Sequence, residues 1–153
     1  MPALDLYAEL EAIVDALDAA SIEYALCGAL ALAVHGSPRA TKDVDLVIAP
    51  GDVGRTKDVL RAVGYTLAAA PMAFRSGITV HRVSRVEGRE LLTVDLLEAA
   101  GPLDAILATR SRVPWAGRTL AVVSRDALVA MKRLADRPQD RADLAALGED
   151  DGE

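Results

Sequence analysis

The chain is poor in the residues that usually announce a site. Its 153 residues hold one cysteine, two histidines, one tryptophan and one phenylalanine. A lone Cys27 excludes an intrachain disulfide and any zinc site built on several thiolates. His35 and His81 are too few to make a histidine-rich metal centre. Aromatics reach only 3%, so a core made from the 52% hydrophobic residues must be aliphatic. Long apolar runs are missing as well. The longest, Tyr24 to Val34, has 11 residues if Gly28 is allowed. A membrane-spanning helix needs ~20, so no membrane partner is expected. The N-terminal stretch is acidic from Asp5 onward and has no basic opening of the signal-peptide kind, so a cytoplasmic protein is expected. Basic charge is also short. Seventeen Lys and Arg face 23 Asp and Glu, giving a net charge of −6 and a pI near 4.9. That argues against a surface that coats nucleic acid, though not against a small basic cleft.

What is present is a regular alternation of helical and extended patterns with no internal repeat. Leu6, Leu10, Ile13, Val14 and Leu17 follow helical spacing, which predicts a helix over about 3–19, with Pro2 suited to its start. "EYALC" (23–27) predicts a buried strand, broken by Gly28 into a helix that stops at Gly36. "KDVDLVIA" predicts the next strand. Asp52 is then expected to cap a helix running to Val63. Strands are expected near 65–69, 78–84 and 91–97, with a hairpin turn at 85–90. A short helix is expected over 103–109 and a hairpin over 112–123, turning at Ala116-Gly117. Ser124 predicts an N-cap for a helix to Ala135, and "QDRADLAAL" a last helix ended by Gly148. The order implies an α/β (α+β) domain: a mixed β-sheet flanked by helices, with two helices at the C-terminal end. The tail "EDDGE" (149–153) is acidic and expected to be disordered.

The informative stretch is "HGSPRATKDVDLVI" (35–48). Strand side chains alternate, so Val44, Leu46 and Ile48 share one face while Asp43 and Asp45 project from the other, with Cα atoms about 6.5–7 Å apart. In "LLTVDLL" (91–97), Asp95 likewise lies opposite Leu92, Val94 and Leu96. If the two strands pair, three carboxylates meet. Clustered acids repel unless a cation neutralises them. Hard oxygen donors without His or Cys suit Mg²⁺ or Mn²⁺ rather than zinc. Two such ions about 3.5–4 Å apart are a common apparatus for in-line phosphoryl or nucleotidyl displacement. The turn at Gly28-Ala29, leading straight into a helix, offers small residues and free N–H groups to a phosphate. Each feature alone has an ordinary explanation: solvated charge at a strand end, or glycine chosen for packing. Their order and spacing give them weight.

"CGALALAVHGSPRATKDVDLVI" resembles the signature of the DNA polymerase β-like nucleotidyltransferases: an apolar residue, Gly, Gly or Ser, a spacer, then Asp-x-Asp. Thirteen residues separate Ala29 from Asp43. Arg39 and Thr41 ahead of the acids make the form similar to small bacterial members, including the abortive-infection (AbiEii-like) toxins. "DALVAMKRLADRPQDRADL" (126–144) resembles the later motif of that group, with Lys132 and Arg137 matching its basic pair and Asp140 and Asp143 its acids. The sequence departs from the signature at Ala29, where a Ser hydroxyl would be lost but the backbone N–H kept.

The resemblance implies one nucleotidyltransferase-like domain over 1–148. It implies transfer of an NMP from an NTP to an acceptor hydroxyl on a protein, a tRNA or a small molecule, and an antitoxin as partner. Asp43 and Asp45 would hold both Mg²⁺ (or Mn²⁺) ions and Asp95 the catalytic one. Gly28, Ala29, Arg39, Thr41, Lys132 and Arg137 would bind the nucleotide. From the residues alone, Lys132 could equally lie at the rim of an apolar stripe, and Arg137 could form a structural ion pair with Asp140. A catalytically silent homologue that binds a partner is the competing reading, as is a plain α/β interaction module.

Overall fold

A computed structural model describes residues 4–149. Five helices and eight strands alternate along the chain: α1 (Leu6–Ala19), β1 (Tyr24–Cys27), α2 (Gly28–Val34), β2 (Asp43–Ile48), α3 (Val53–Ala62), β3 (Leu67–Ala68), β4 (Met72–Ala73), β5 (Thr79–Glu87), β6 (Glu90–Glu98), β7 (Ser111–Trp115), β8 (Arg118–Val122), α4 (Arg125–Ala135) and α5 (Pro138–Ala146). The strands form one mixed sheet in the order β3-β5-β6-β2-β1-β8-β7, with β4 also paired to β5. β2 runs parallel to β6 and β1 parallel to β8, while β1 and β2 are antiparallel.

Alternation in β2 decides how the sheet sits. Val44, Leu46 and Ile48 are fully buried, among Leu10, Ile13, Val14 and Leu17 of α1 and Val94 and Leu96 of β6 in one aliphatic core. On the opposite face Asp43 is exposed, Asp45 is half-buried and Val47 is buried. The strand therefore enters the protein from solvent, and its two acids stand at the entry. Because β1 and β2 are antiparallel, the end of β1 meets the start of β2, and Cys27 pairs with Asp45. The strand–turn–helix at Gly28 thus lands beside the acids.

Several expected boundaries shift for local reasons. Helix α1 starts at Leu6, because Asp5 accepts hydrogen bonds from the Tyr7 and Ala8 N–H groups at 3.0 and 3.3 Å. Pro2, expected to open it, lies outside the described residues. Asp52 makes no side-chain cap on α3. Its carboxylate pairs with Arg55 at 3.3 Å, and a 3-10 turn over Pro50–Asp52 leads into the helix. The turn expected at 85–90 contracts to Gly88-Arg89, since Glu87 still pairs with Glu90. Gly88 supplies the positive φ, 60°, that so tight a reversal uses. No α-helix forms over 103–109. A 3-10 turn at Gly101–Leu103 continues as single turns, with i→i+3 bonds such as Thr109 N–H to the Ile106 carbonyl at 3.3 Å. Length alone does not decide this, since α2 is equally short; Gly101, at φ 56°, and Pro102 open the segment as a 3-10 turn. Ser124 caps α4 as expected, accepting the Ala127 N–H at 3.1 Å. In the tail, Glu149 pairs with Arg125 at 2.8 Å, and 150–153 lie outside the described residues.

Candidate active site

The sheet register assembles the acids. Asp43 pairs with Thr93 and Asp45 with Asp95 across the parallel β2–β6 ladder. Arg82 on β5 pairs with Asp95 from the other side. Cross-strand partners project to the same face, so Asp43, Asp45, Asp95 and Arg82 share one face of three adjacent strands.

Gly28 closes the site from below. It sits at φ +67°, and a Cβ there would overlap the Asp45 carboxylate. Glycine is needed for the left-handed backbone and for the close approach alike. The side chain of Ala29, at 5% exposure, points inward, so only its backbone is on offer to a ligand. Burial, and then the charges of Asp95 and Asp43, push the Asp45 carboxyl up to about 7; the charges of Lys132 and Arg137 pull the other way. Cys27 is buried, and burial together with Asp45 holds its thiol protonated, which suits packing rather than reaction.

The third acid has a partner that the sequence did not suggest. Arg82 donates from Nε to Asp95 Oδ1 at 2.8 Å and from Nη2 to Oδ2 at 3.0 Å, a two-bond fork that engages both oxygens. No local pattern marks it: Arg82 shares β5 with His81 and Arg85, and its partner is set by the β5–β6 register.

The other residues singled out in the sequence form a second cluster. Arg39 forks onto Asp143 at 2.9 and 3.1 Å. Lys132 Nζ, almost fully buried, reaches Asp143 at 2.9 Å and Asp140 at 3.3 Å. Arg137 Nε reaches Asp140 at 2.7 Å, and Asp140 also accepts the Arg137 backbone N–H at 3.1 Å, capping α5. Gln139 completes the Asp143 shell at 2.9 Å. Burial would raise the Asp143 carboxyl, but the hydrogen bonds from Arg39, Lys132 and Gln139 outweigh it and hold it at about 2. This network ties α4 and α5 to the loop before β2. It borders the acids closely enough for Lys132 and Arg137 to act on Asp45. Thr41 accepts the Asp43 N–H at 3.1 Å and fixes the start of β2. The histidines do other work: His35 bonds the Val123 carbonyl at 2.9 Å, and His81 contacts Glu98 at 2.6 Å.

The donor set fits a hard divalent cation by its chemistry: three carboxylates on one face, one of them with a pKa raised by its burial and by the charges of the other two. It is not closed as it stands. Among the described residues no three His, Cys, Asp or Glu side chains are arranged as a ready ligand set, and both Asp95 oxygens are turned to Arg82.

A mixed sheet that carries Asp-x-Asp on one strand and a third acid on its parallel neighbour, with a glycine turn beneath them, is the nucleotidyltransferase fold. Solved structures agree. TM1012 from Thermotoga maritima, described as a candidate nucleotidyltransferase, superposes with a TM-score of 0.68 at 14% identity, covering 91% of this chain and 89% of that one. The lincosamide antibiotic adenylyltransferase LnuA, in its lincomycin-bound structure, gives 0.60 at 14% identity over 92% and 94% of the two chains. ANT(2'')-Ia in complex with adenylyl-2''-tobramycin gives 0.61 at 16% identity over 92% and 86%. No curated protein matches the sequence. The chain belongs to the AbiEii family, described as the nucleotidyl transferase AbiEii toxin of type IV toxin–antitoxin systems, whose profile matches residues 10–151.

Proposed function

We propose that the protein transfers a nucleoside monophosphate from an NTP to an acceptor hydroxyl on the face formed by Asp43, Asp45 and Asp95. The observation that carries this reading is the register pairing of Asp45 with Asp95 directly above Gly28, in a member of a nucleotidyltransferase family. In the reaction the acceptor oxygen bonds to the α-phosphorus, the bond from that phosphorus to the bridging oxygen breaks, and pyrophosphate leaves. The acceptor's proton passes to a carboxylate of the set, Asp95 in this reading. Asp43, Asp45 and Asp95 would hold Mg²⁺ or Mn²⁺, which when bound supplies charge neutralisation at the phosphates.

The chain's own residues supply placement. Gly28 and Ala29 would offer backbone N–H groups to the phosphates. Arg137, the more exposed of the basic pair, would face the nucleotide, while Lys132 and Arg39 hold α5 and the loop that carries Thr41. The acceptor is a protein side chain, a tRNA end or a small molecule such as the antibiotics named with the structural neighbours. In the toxin reading, an antitoxin partner restrains the activity in the cell.

The test is transfer of label from each of the four α-³²P-labelled NTPs, with Mg²⁺ or Mn²⁺, to cell-extract protein, total tRNA or aminoglycoside and lincosamide acceptors. Labelling by wild type that disappears in Asp45→Asn and Asp95→Asn supports the reading. Metal and nucleotide binding with no transfer to any acceptor would favour the silent homologue, for which the occupied Asp95 is the favouring observation.

A further inference from the structure

We infer that Arg82 is a resident counter-ion that competes with the divalent cation for Asp95 and, once displaced, binds an anionic phosphate oxygen of the nucleotide. The inference rests on the function proposed above. Its basis is geometric. The Arg82 fork places one hydrogen bond on each Asp95 oxygen, so a cation that joins Asp95 to Asp43 and Asp45 meets the guanidinium charge on the same two oxygens and competes with it. The two residues are also Cα partners, which fixes the guanidinium over the middle strand of the acid face without bending the backbone.

Exposure says which partner moves. The Arg82 side chain is 46% exposed and Asp95 is 13% exposed. The carboxylate is held in place and the long arginine has water to swing into. Among the described residues Asp43 and Asp45, which share the face with Asp95, form no ion pair of their own, so Arg82 is the guanidinium seated on the acid face. A dication brings two charges where Arg82 brings one, so the exchange is favourable once the cation is available. The freed guanidinium remains tethered to β5 beside the loaded carboxylates. That is where the negative charge of a triphosphate would next require a donor, and a planar fork suits phosphate as well as carboxylate. One residue thus has two partners in sequence, and its removal must affect the two ligands in opposite directions.

The experiment compares wild type, Arg82→Gln and Arg82→Lys, each checked for folding by circular dichroism. Mn²⁺ binding to the nucleotide-free protein is followed by electron paramagnetic resonance. Binding of α,β-methylene NTPs is then measured by calorimetry at saturating Mg²⁺, where competition for Asp95 no longer matters. The expected result is Mn²⁺ affinity raised about two- to fivefold in Arg82→Gln, the range for losing a partly exposed forked pair, and nucleotide affinity lowered by a similar factor. Arg82→Lys, which keeps the charge without the fork, should fall between and covers the case in which the Gln variant does not fold. In wild type, the Arg82 Nε–H resonance, assigned by its absence from Arg82→Lys, should shift when Mg²⁺ is added. Unchanged or weaker Mn²⁺ binding in both variants would overturn the competition, and unchanged nucleotide affinity would overturn the phosphate contact. If wild type and both variants bind Mn²⁺ no better than Asp45→Asn does, the proposed function fails together with this inference; if wild type binds Mn²⁺ and the Arg82 variants match it, only this inference fails.

Discussion

Gly28 and Asp45 are packed so closely that the space a Cβ would fill on the first is held by the carboxylate of the second. The glycine stands at φ +67° at the end of β1, and the acid lies on the neighbouring antiparallel strand. Strand order, turn and site are therefore one construction.

Gly28→Ala tests it. The variant incurs a left-handed backbone cost of about 1 kcal/mol and an overlap that must move Asp45, so a loss of roughly 2–3 kcal/mol is expected. Urea unfolding measures the stability, and Mn²⁺ affinity measures the displaced carboxylate. A variant with wild-type stability and metal affinity would mean that the turn tolerates a side chain and the packing is incidental.

Asp45→Asn should act in opposite ways with and without metal. The folded-state pKa of Asp45, about 7, lies above the ordinary carboxylate value of ~3.9. Its ionised form is therefore disfavoured by folding. The penalty is absent below about pH 4, grows as pH rises to 7 and is complete above that. In the absence of metal, Asp45→Asn should melt higher than wild type at pH 8, by an amount on the order of 2–4 kcal/mol, and no higher at pH 4. Saturating Mg²⁺ should stabilise wild type by about 2.7 kcal/mol at a hundredfold excess over Kd and leave the variant unmoved. Calorimetric melts at the two pH values decide it; a variant that melts lower than wild type at pH 8 would make Asp45 a structural acid.

Removing Arg82 should lower the melting temperature of the metal-free protein, because Asp95 loses the one charge on its two oxygens. The loss should be about 1 kcal/mol for so exposed a partner, and Mg²⁺ should restore it. A melt that Mg²⁺ leaves unchanged would place the ion elsewhere than on Asp95.

Much of this fold is legible in the sequence because β2 and β6 each carry an unambiguous period of two, and the periods assign the acids to the face away from the core. Ser124, with its N-cap chemistry, fixes α4 to the residue. The segments that misled are those where local chemistry offers a choice. Asp52 can cap a helix or pair with Arg55, and only packing tells which. The 103–109 stretch has helical residues, yet it folds as single turns behind the 3-10 turn that Gly101 and Pro102 open. The site shows the same division. That Asp43, Asp45 and Asp95 project away from the core follows from alternation, but their meeting on one face rests on the β2–β6 pairing, which the sequence left as a condition. The role of Arg82 is not legible there, since it comes from a β5–β6 register that no local pattern records. The Arg137–Asp140 ion pair is one the sequence offered as an alternative, but the pairing of Arg39 and Lys132 with Asp143 was beyond reach, because Arg39 and Asp143 are 104 positions apart.

The same network gives the acid limb of the stability profile. Asp143 is buried, and Arg39, Lys132 and Gln139 hold its pKa at about 2, below the ~3.9 of the unfolded chain. Its folded form prefers the ionised state, so its contribution is complete above about pH 4 and lost as pH falls through 2. Asp140, held down chiefly by Arg137 against its own burial, adds in the same direction. Its fall from the ordinary carboxylate value to about 2 corresponds to ~2.5 kcal/mol from Asp143. Asp45 works the other way over a higher range, since its penalty disappears as pH falls from 7 to 4. From these two groups the metal-free protein should be most stable near about pH 4, with an alkaline slope set by Asp45 and an acid slope set by Asp143. Asp143→Asn should lower stability at pH 7 by about 3 kcal/mol, because Lys132 is left buried with Asp140 alone and Arg39 loses its fork. It should also flatten the acid slope and leave the alkaline slope as it was. Asp45→Asn should do the reverse. Urea melts of wild type and the two variants at unit steps from pH 2 to 9 separate the limbs. A single variant that flattened both would mean that the two clusters titrate as one, and the division between a structural network and an acid site would have to be abandoned.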